Sequence, residues 1–284
     1  MPAEAPADLL GTTQTVRAMP LPHTADAGRP APPLLERLDE GLWRASDHAR
    51  GPFAGVQGGI VAALMATEIE AVAPAAFRPL AVRADLLKPV PPDVPLRIRV
   101  APVQAGRRIA VFDATLEAAG QLKARCALTL ASEVAVPGLA TDHESHPAAA
   151  PAIDPMDLPP RSVRAPEGGA WLMDVLQPRL APDGSVWFRW QAPMLPGVSA
   201  FTAALPPADF AHGLARAGLP GPAPVAGFPN PDLTVHFARP PQGPWIGVRP
   251  AARWQRSGLG LRHGDLLDRG GAFGRVAMGV VLIP

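Results

Sequence analysis

The chain has 284 residues, 48% of them hydrophobic, which suffices for one large domain or two of ordinary size around a sizeable core. Twenty-six Lys and Arg residues against 25 Asp and Glu leave a net charge of +1, which excludes the broad positive field that captures nucleic acid. A lone cysteine, Cys126, excludes an intramolecular disulfide and a cysteine-based zinc site, so a reducing compartment is expected.

Residues 1–33 are rich in Pro and Ala and lack a basic start followed by an apolar run, so they read as a tail and not as a secretory leader. The longest uncharged stretch, 51–67, is shorter than a bilayer-spanning helix and contains Pro52; a cytoplasmic protein without a membrane partner is expected. "LLERLDEGLWRASDHARG" then reads as a short element and a strand leading into "VQGGIVAALMATEIEAVA". Residues 58–73 are apolar around most of a helical circumference, broken by Thr67, Glu68 and Glu70, which predicts a buried helix with Glu68 on an exposed or dimer-facing side. Its start on Gly58-Gly59 has two readings. Either the glycines permit tight packing, or a ligand comes close to the backbone there.

Beyond the helix, Leu96, Ile98 and Val100 alternate with Arg97 and Arg99, the period of a half-buried strand. "QAGRR" and "AAGQ" supply reversals, so an antiparallel meander is expected up to about residue 136. Residues 137–167 are rich in Pro and Ala without an apolar period and read as a linker. The second half offers a strand at "SVWFRWQA", a helix around "PADFAHGLARAGL" and a strand series from "DLTVHFARPP" to "AFGRVAMGVVLI". Laid side by side, the halves repeat. "VRADLLKPV" matches "LTVHFARPP", "GRRIAVFDATLEAAG" matches "GLGLRHGDLLDRGG", and "LKARCALTL" matches "FGRVAMGVV", at a nearly constant separation close to the 151 residues between Lys88 and Arg239.

Several patterns carry no chemistry. His143 and His146 in "HESH" have no third ligand nearby; "GLGLRHG" lacks the glycine spacing of a dinucleotide fingerprint; and no GxSxG or Cys/His arrangement points to covalent catalysis.

Three motifs, "GGIVAAL" from Gly58, "NPDLTVHFARPPQGPW" from Asn230, and the closing "GLGLRHGDLLDRGGAFGRVAMGVV", together with the repeat, resemble the double hot dog acyl-CoA thioesterases of the thioesterase II type. The resemblance implies an α+β fold: a tandem double hot dog, with residues 34–136 and 168–284 each forming a central helix wrapped by an antiparallel sheet. It implies hydrolysis of a fatty or related acyl-CoA to free acid and CoA, without cofactor or metal, in a pair of modules whose outer edge strands allow a homo-oligomer. The helix N-terminus at Gly58, Gly59 and Ile60 would face the thioester, its N–H groups favouring negative charge on the carbonyl oxygen. Asp232 matches the family's water-orienting aspartate, with Thr234 nearby on the face opposite Leu233 and Val235. Gln57, ahead of the helix, and Asp209, in the second helix, are the remaining polar candidates, and Arg107-Arg108 would reach the CoA phosphates. Met278 falls where the family carries a glutamine, and a thioether cannot orient water. That departure motivates an alternative, a non-catalytic acyl-CoA or acyl-chain binding protein.

Overall fold

The structure is a computed structural model that describes residues 33–53, 55–138, 153–165, 168–195, 197–215 and 227–283. A short hairpin, β1 (Leu35–Asp39) and β2 (Leu42–Ala45), turns at Gly41. Gly41 has φ of +60°, and a Cβ there would stand 2.7 Å from the Ile98 carbonyl oxygen, so glycine is required twice over. Helix α1 (Gly58–Val72) follows, then the meander β3 (Phe77–Leu86), β4 (Leu96–Ala105), β5 (Ile109–Ala118) and β6 (Gln121–Ser132). The second half runs β7 (Leu176–Leu180), β8 (Val186–Trp190), a short α2 (Ala200–Ala203), α3 (Leu205–Ala215), and β9 (Asp232–Phe237), β10 (Trp245–Trp254), β11 (Leu259–Asp268) and β12 (Gly271–Val281).

All twelve strands form one sheet in the order β1-β2-β4-β5-β6-β3-β9-β12-β11-β10-β8-β7, antiparallel throughout. The halves meet at β3 and β9, where Val82 stands opposite Val235 and Ala84 opposite Leu233. Their ladders are copies in register: Phe112 opposes Leu128 as Arg262 opposes Met278, and Ala114 opposes Cys126 as Gly264 opposes Val276. The irregularity between Leu116 and Glu117 recurs between Leu266 and Leu267. The repeat seen in sequence is therefore a repeat of hydrogen-bond pairing, but the ladders correspond one to two residues away from the sequence match, so that Leu128 answers to Met278 and not to Gly279. In the second half α3, shorter than α1 as described, packs on β10 and β8 and against α1.

The core lies between the sheet and the helices. Along β5, Ala110, Phe112, Ala114, Leu116 and Ala118 point inward, while α1 is buried continuously from Gly59 to Ala66. That continuity has two causes: the sheet covers one side of α1, and α3 covers another through the fully buried Leu205, Ala208 and Ala211. Small residues on both helices allow the close approach. At Gly59 a Cβ would come within 2.6 Å of the Leu205 carbonyl oxygen and of Pro206 Cα. Glycine costs roughly 1 kcal/mol per residue in a helix. Ile60, Leu64, Met65 and Ile69, each almost wholly buried, offset it at roughly 1.5–3 kcal/mol apiece. Cys126 lies inside β6, where burial first, and the charges of Asp113 and Asp85 second, push its thiol up to about 12.

Two expectations are corrected. Glu68 is buried, not exposed: its carboxylate accepts from the Trp43 indole N–H at 3.0 Å and pairs with Arg37, because the β1–β2 hairpin folds over that side of α1. Within the segment read as a linker, residues 153–165 are pinned to β7. Arg161 N–H donates to the Pro178 carbonyl at 2.9 Å, Arg179 Nη1 donates to the carbonyls of Pro155, Met156 and Leu158, and the Trp171 indole donates to Val163 O at 3.1 Å. Docking through backbone carbonyls leaves no side-chain period to read. His143 and His146 lie outside the described residues.

Candidate active site

A cavity of about 540 Å³ opens at the N-terminal end of α1, walled by apolar groups that include Val61, Phe210 and Trp171. Asp209, the fifth residue of α3, reaches across to that end of α1. Its Oδ2 accepts from the Gly59 N–H at 2.9 Å and from Gln57 Nε2 at 2.6 Å, and its Oδ1 accepts from Asn230 Nδ2 at 2.9 Å. A carboxylate offers about four acceptor positions, and three of them are filled among the described residues. Burial raises the pKa of Asp209 above the ordinary aspartate value, against the lowering effect of the Gly59 N–H, the Asn230 amide and the Arg262 charge.

Gln57 is the N-cap of α1. Its Oε1 accepts from the Ile60 N–H at 2.8 Å while its Nε2 also donates to the Pro206 carbonyl at 3.2 Å, so one buried amide ties the two helices together at the cavity. The Val61 N–H bonds the Gln57 carbonyl at 3.1 Å. The first-turn donors of Gly59, Ile60 and Val61 are thus all engaged, and the Gly58 N–H is the one without a partner among the described residues. Gly58 also lines the cavity, and the nearest obstacle to a Cβ there is the tip of the Leu86 side chain, at 2.5 Å.

Asn230 and Asp232 are separated by the turn they form. Asn230 Nδ2 bridges Asp209 and the Asp232 backbone carbonyl, both at 2.9 Å, and faces the cavity. Asp232 faces away: in β9 the buried series is Leu233, Val235 and Phe237, so Asp232 and Thr234 share the opposite face of the sheet, where Asp232 Oδ1 accepts from the Gly279 N–H at 2.8 Å. Neither lines the cavity. The Ile60 and Met278 side chains are buried in the core and lie outside the cavity wall. Gln57, Gly58, Gly59 and Asp209 are brought together as one group.

Arg262 escaped the sequence reading. It points inward from β11, in phase with Gly264 and Leu266, is only 3% exposed, and lines the cavity. Its guanidinium packs against the rings of Phe228 at 4.1 Å and Trp254 at 5.1 Å. Burial lowers its pKa to about 10, opposed by the Asp209 charge, so it stays cationic at neutral pH. The signal was its phase: an arginine at an inward position of an alternating strand. Both lysines of the chain, Lys88 and Lys123, line the cavity as well. Arg107 and Arg108, in the exposed turn between β4 and β5, do not.

Among the described residues the site thus joins one carboxylate with three donors upon it, one helix N–H without a partner, one buried cation and an apolar wall. Residues 48–133 match the model of the acyl-CoA thioesterase N-terminal domain. No curated protein matches the chain. Among solved structures it is similar to the acyl-CoA thioesterase II TesB2 of Mycobacterium marinum (TM-score 0.66, 17% identity, covering 88% of this chain and 95% of that one). It is similar also to the tesB protein of Mycobacterium avium subspecies paratuberculosis (TM-score 0.62, 17% identity, 88% and 96%). A conserved protein of unknown function with a hot dog fold from Alicyclobacillus acidocaldarius gives a TM-score of 0.65 at 17% identity, over 87% and 95% of the two chains. The chain accordingly has the hot dog fold, and its residues 48–133 match the model of the acyl-CoA thioesterase N-terminal domain.

Proposed function

We propose that the chain hydrolyses an acyl-CoA thioester at the α1 cavity, and that its two halves, residues 34–136 and 168–284, act as a tandem pair of hot dog units whose helices meet to make the site. The observation that carries this reading is the partly buried Asp209 carboxylate from one helix set against the N-terminus of the other, on the wall of an apolar cavity. In the proposed reaction Asp209, ionised, holds a water and takes its proton as the water oxygen attacks the thioester carbon. The carbonyl electron pair moves onto oxygen, where the Gly58 N–H and the α1 dipole favour the charge. Collapse of the intermediate breaks the carbon–sulfur bond, and the proton held by Asp209 passes to the departing CoA sulfur. Lys88 and Lys123 suit the phosphates of such a substrate. Asn230 and Gln57 hold the Asp209 carboxylate in orientation. The deciding experiment is thiol release from short, medium and long acyl-CoAs by the parent and by Asp209→Asn. Equal turnover by both would reject Asp209 as the base.

One observation favours a second reading, a non-catalytic acyl-CoA binder: Met278 is as apolar as Leu128, its counterpart in the first ladder. Acyl-CoA binding by calorimetry without thiol release at any chain length would select that reading over hydrolysis.

A further inference from the structure

Glu70, near the end of α1, leaves one oxygen unused. Its Oε2 accepts from the Ser199 hydroxyl at 2.9 Å and from the Thr202 hydroxyl, whereas its Oε1 has no hydrogen-bond partner among the described residues. That oxygen is not enclosed, because Glu70 keeps part of its surface exposed and lines a cavity of about 610 Å³. Such a volume lies in the ordinary range for a small-molecule site, about 300–1,000 Å³. The contrast with Asp209 is direct: there donors sit on both oxygens, here both sit on one. The duplication accounts for the pair of cavities. α2 runs into α3 through Ala204, so Ser199 caps that helical stretch as Gln57 caps α1. Each stretch carries an acid to the cap of the other, Asp209 to Gln57 and Glu70 to Ser199.

Leu35, Trp43, Leu195 and Ala71 supply an apolar wall, and the charged groups on it are Glu36, Glu70 and Arg37. Arg37 is taken by Glu68 and lies over the Trp43 ring at 5.1 Å; Glu36 pairs with Arg44 at 3.6 Å. Arg78 acts on Glu70 through its charge alone, since its Nη1 donates to the carbonyls of Ala75 and Phe77. Among the described residues no cation pairs with Glu70. We propose that this cavity binds a primary alkylammonium, with the ammonium on Glu70 Oε1 and the chain along Leu35, Leu195 and Trp43. An ionised carboxylate only accepts, so the ligand must donate, and a donor that carries positive charge makes the stronger bond. The site is separate from the Asp209 cavity and does not depend on hydrolysis there.

The test uses the full chain and needs no turnover. Hexylamine, protonated at neutral pH, and hexanol are titrated calorimetrically into the parent, Glu70→Gln, Ala71→Phe and Asp209→Asn, with circular dichroism checking that each variant folds. The parent should bind hexylamine at least about tenfold more tightly than hexanol. Glu70→Gln keeps the size and an acceptor for the two hydroxyls but not the charge, and should remove the difference. Ala71 is exposed on the cavity wall, so Ala71→Phe fills the space without touching the core and should weaken hexylamine by about tenfold. Asp209→Asn tells the two cavities apart. Selectivity for the amine that survives in Asp209→Asn and disappears in Glu70→Gln assigns it to Glu70; the reverse pattern overturns the proposal. Equal binding of hexylamine and hexanol by the parent overturns it without reference to any variant.

Discussion

The two strand ladders hold different chemistry at one position. In the first, Phe112 faces Leu128; in the second, the equivalent pair is Arg262 and Met278. The two ends of α1 make a second comparison. At its start, Asp209 meets a capping Gln57 from the other helix; towards its end, Glu70 accepts from Ser199, the cap of α2, at 2.9 Å, and from Thr202. Burial raises Glu70 too, against those two hydroxyls and the charge of Arg78. An acid beside a cap thus occurs at both ends, and a cavity of about 610 Å³ borders Glu70. Among the described residues a buried cation, Arg262, lines the cavity at the start of α1, and none lines the one beside Glu70. The backbone repeat fixes where a groove forms, and single side chains decide which groove is equipped for chemistry.

The largest expected effect separates these ends. Asp209→Asn should lower kcat/KM for thiol release by about 10²–10⁴-fold, whereas Glu70→Gln should leave it within about threefold; a comparable loss in Glu70→Gln would make the two ends equivalent and break the comparison. Next comes the pH profile. Asp209 acts ionised and its folded pKa is raised, so activity should fall on acidification with a midpoint above the ordinary aspartate range. Arg262→Met removes a charge that holds this value down, so the midpoint should move further up. The same sign governs stability. A raised folded pKa favours the protonated fold below the ordinary aspartate value and that contribution is lost as pH rises through the raised one, so the parent should lose stability across that interval.

A smaller contrast lies within the glycine pair. Gly59→Ala meets the backbone of Leu205 and Pro206 and should cost about 1–3 kcal/mol, seen as a lowered Tm. Gly58→Ala meets the movable Leu86 tip and the cavity, and should depress thiol release with the smaller change in Tm. The smallest effect is expected at Asp232→Asn, which keeps an acceptor for the Gly279 N–H: thiol release within about twofold of the parent, and unfolding free energy within about 1 kcal/mol.

Much of this architecture was legible. The alternation of Leu96, Ile98 and Val100 predicted β4, the apolar circumference of 58–73 predicted α1, and the internal repeat predicted a second ladder that the strand pairing reproduces. The site was half legible. At Gly59 the packing reading holds, since a Cβ would meet the backbone of Leu205 and Pro206, whereas Gly58 lies on the cavity beside the Leu86 tip and the Asp209 carboxylate. The period of Leu233 and Val235 already marked the face of β9 that carries Asp232 as the one turned from the core. Asp209 was named without its role, because which helix end it meets depends on how α3 crosses α1, a distance that neither segment encodes by itself. Arg262 hid in a strand whose other inward residues are ordinary core.

The burial of Cys126 has a practical corollary. As the chain's sole thiol, in a strand bounded on both sides by hydrogen-bonded neighbours, it stays silent towards thiol reagents until the sheet parts. Its labelling rate is therefore an intrinsic clock for opening of the first ladder, and a folded sample adds no protein signal of its own when liberated CoA is counted with the same reagent.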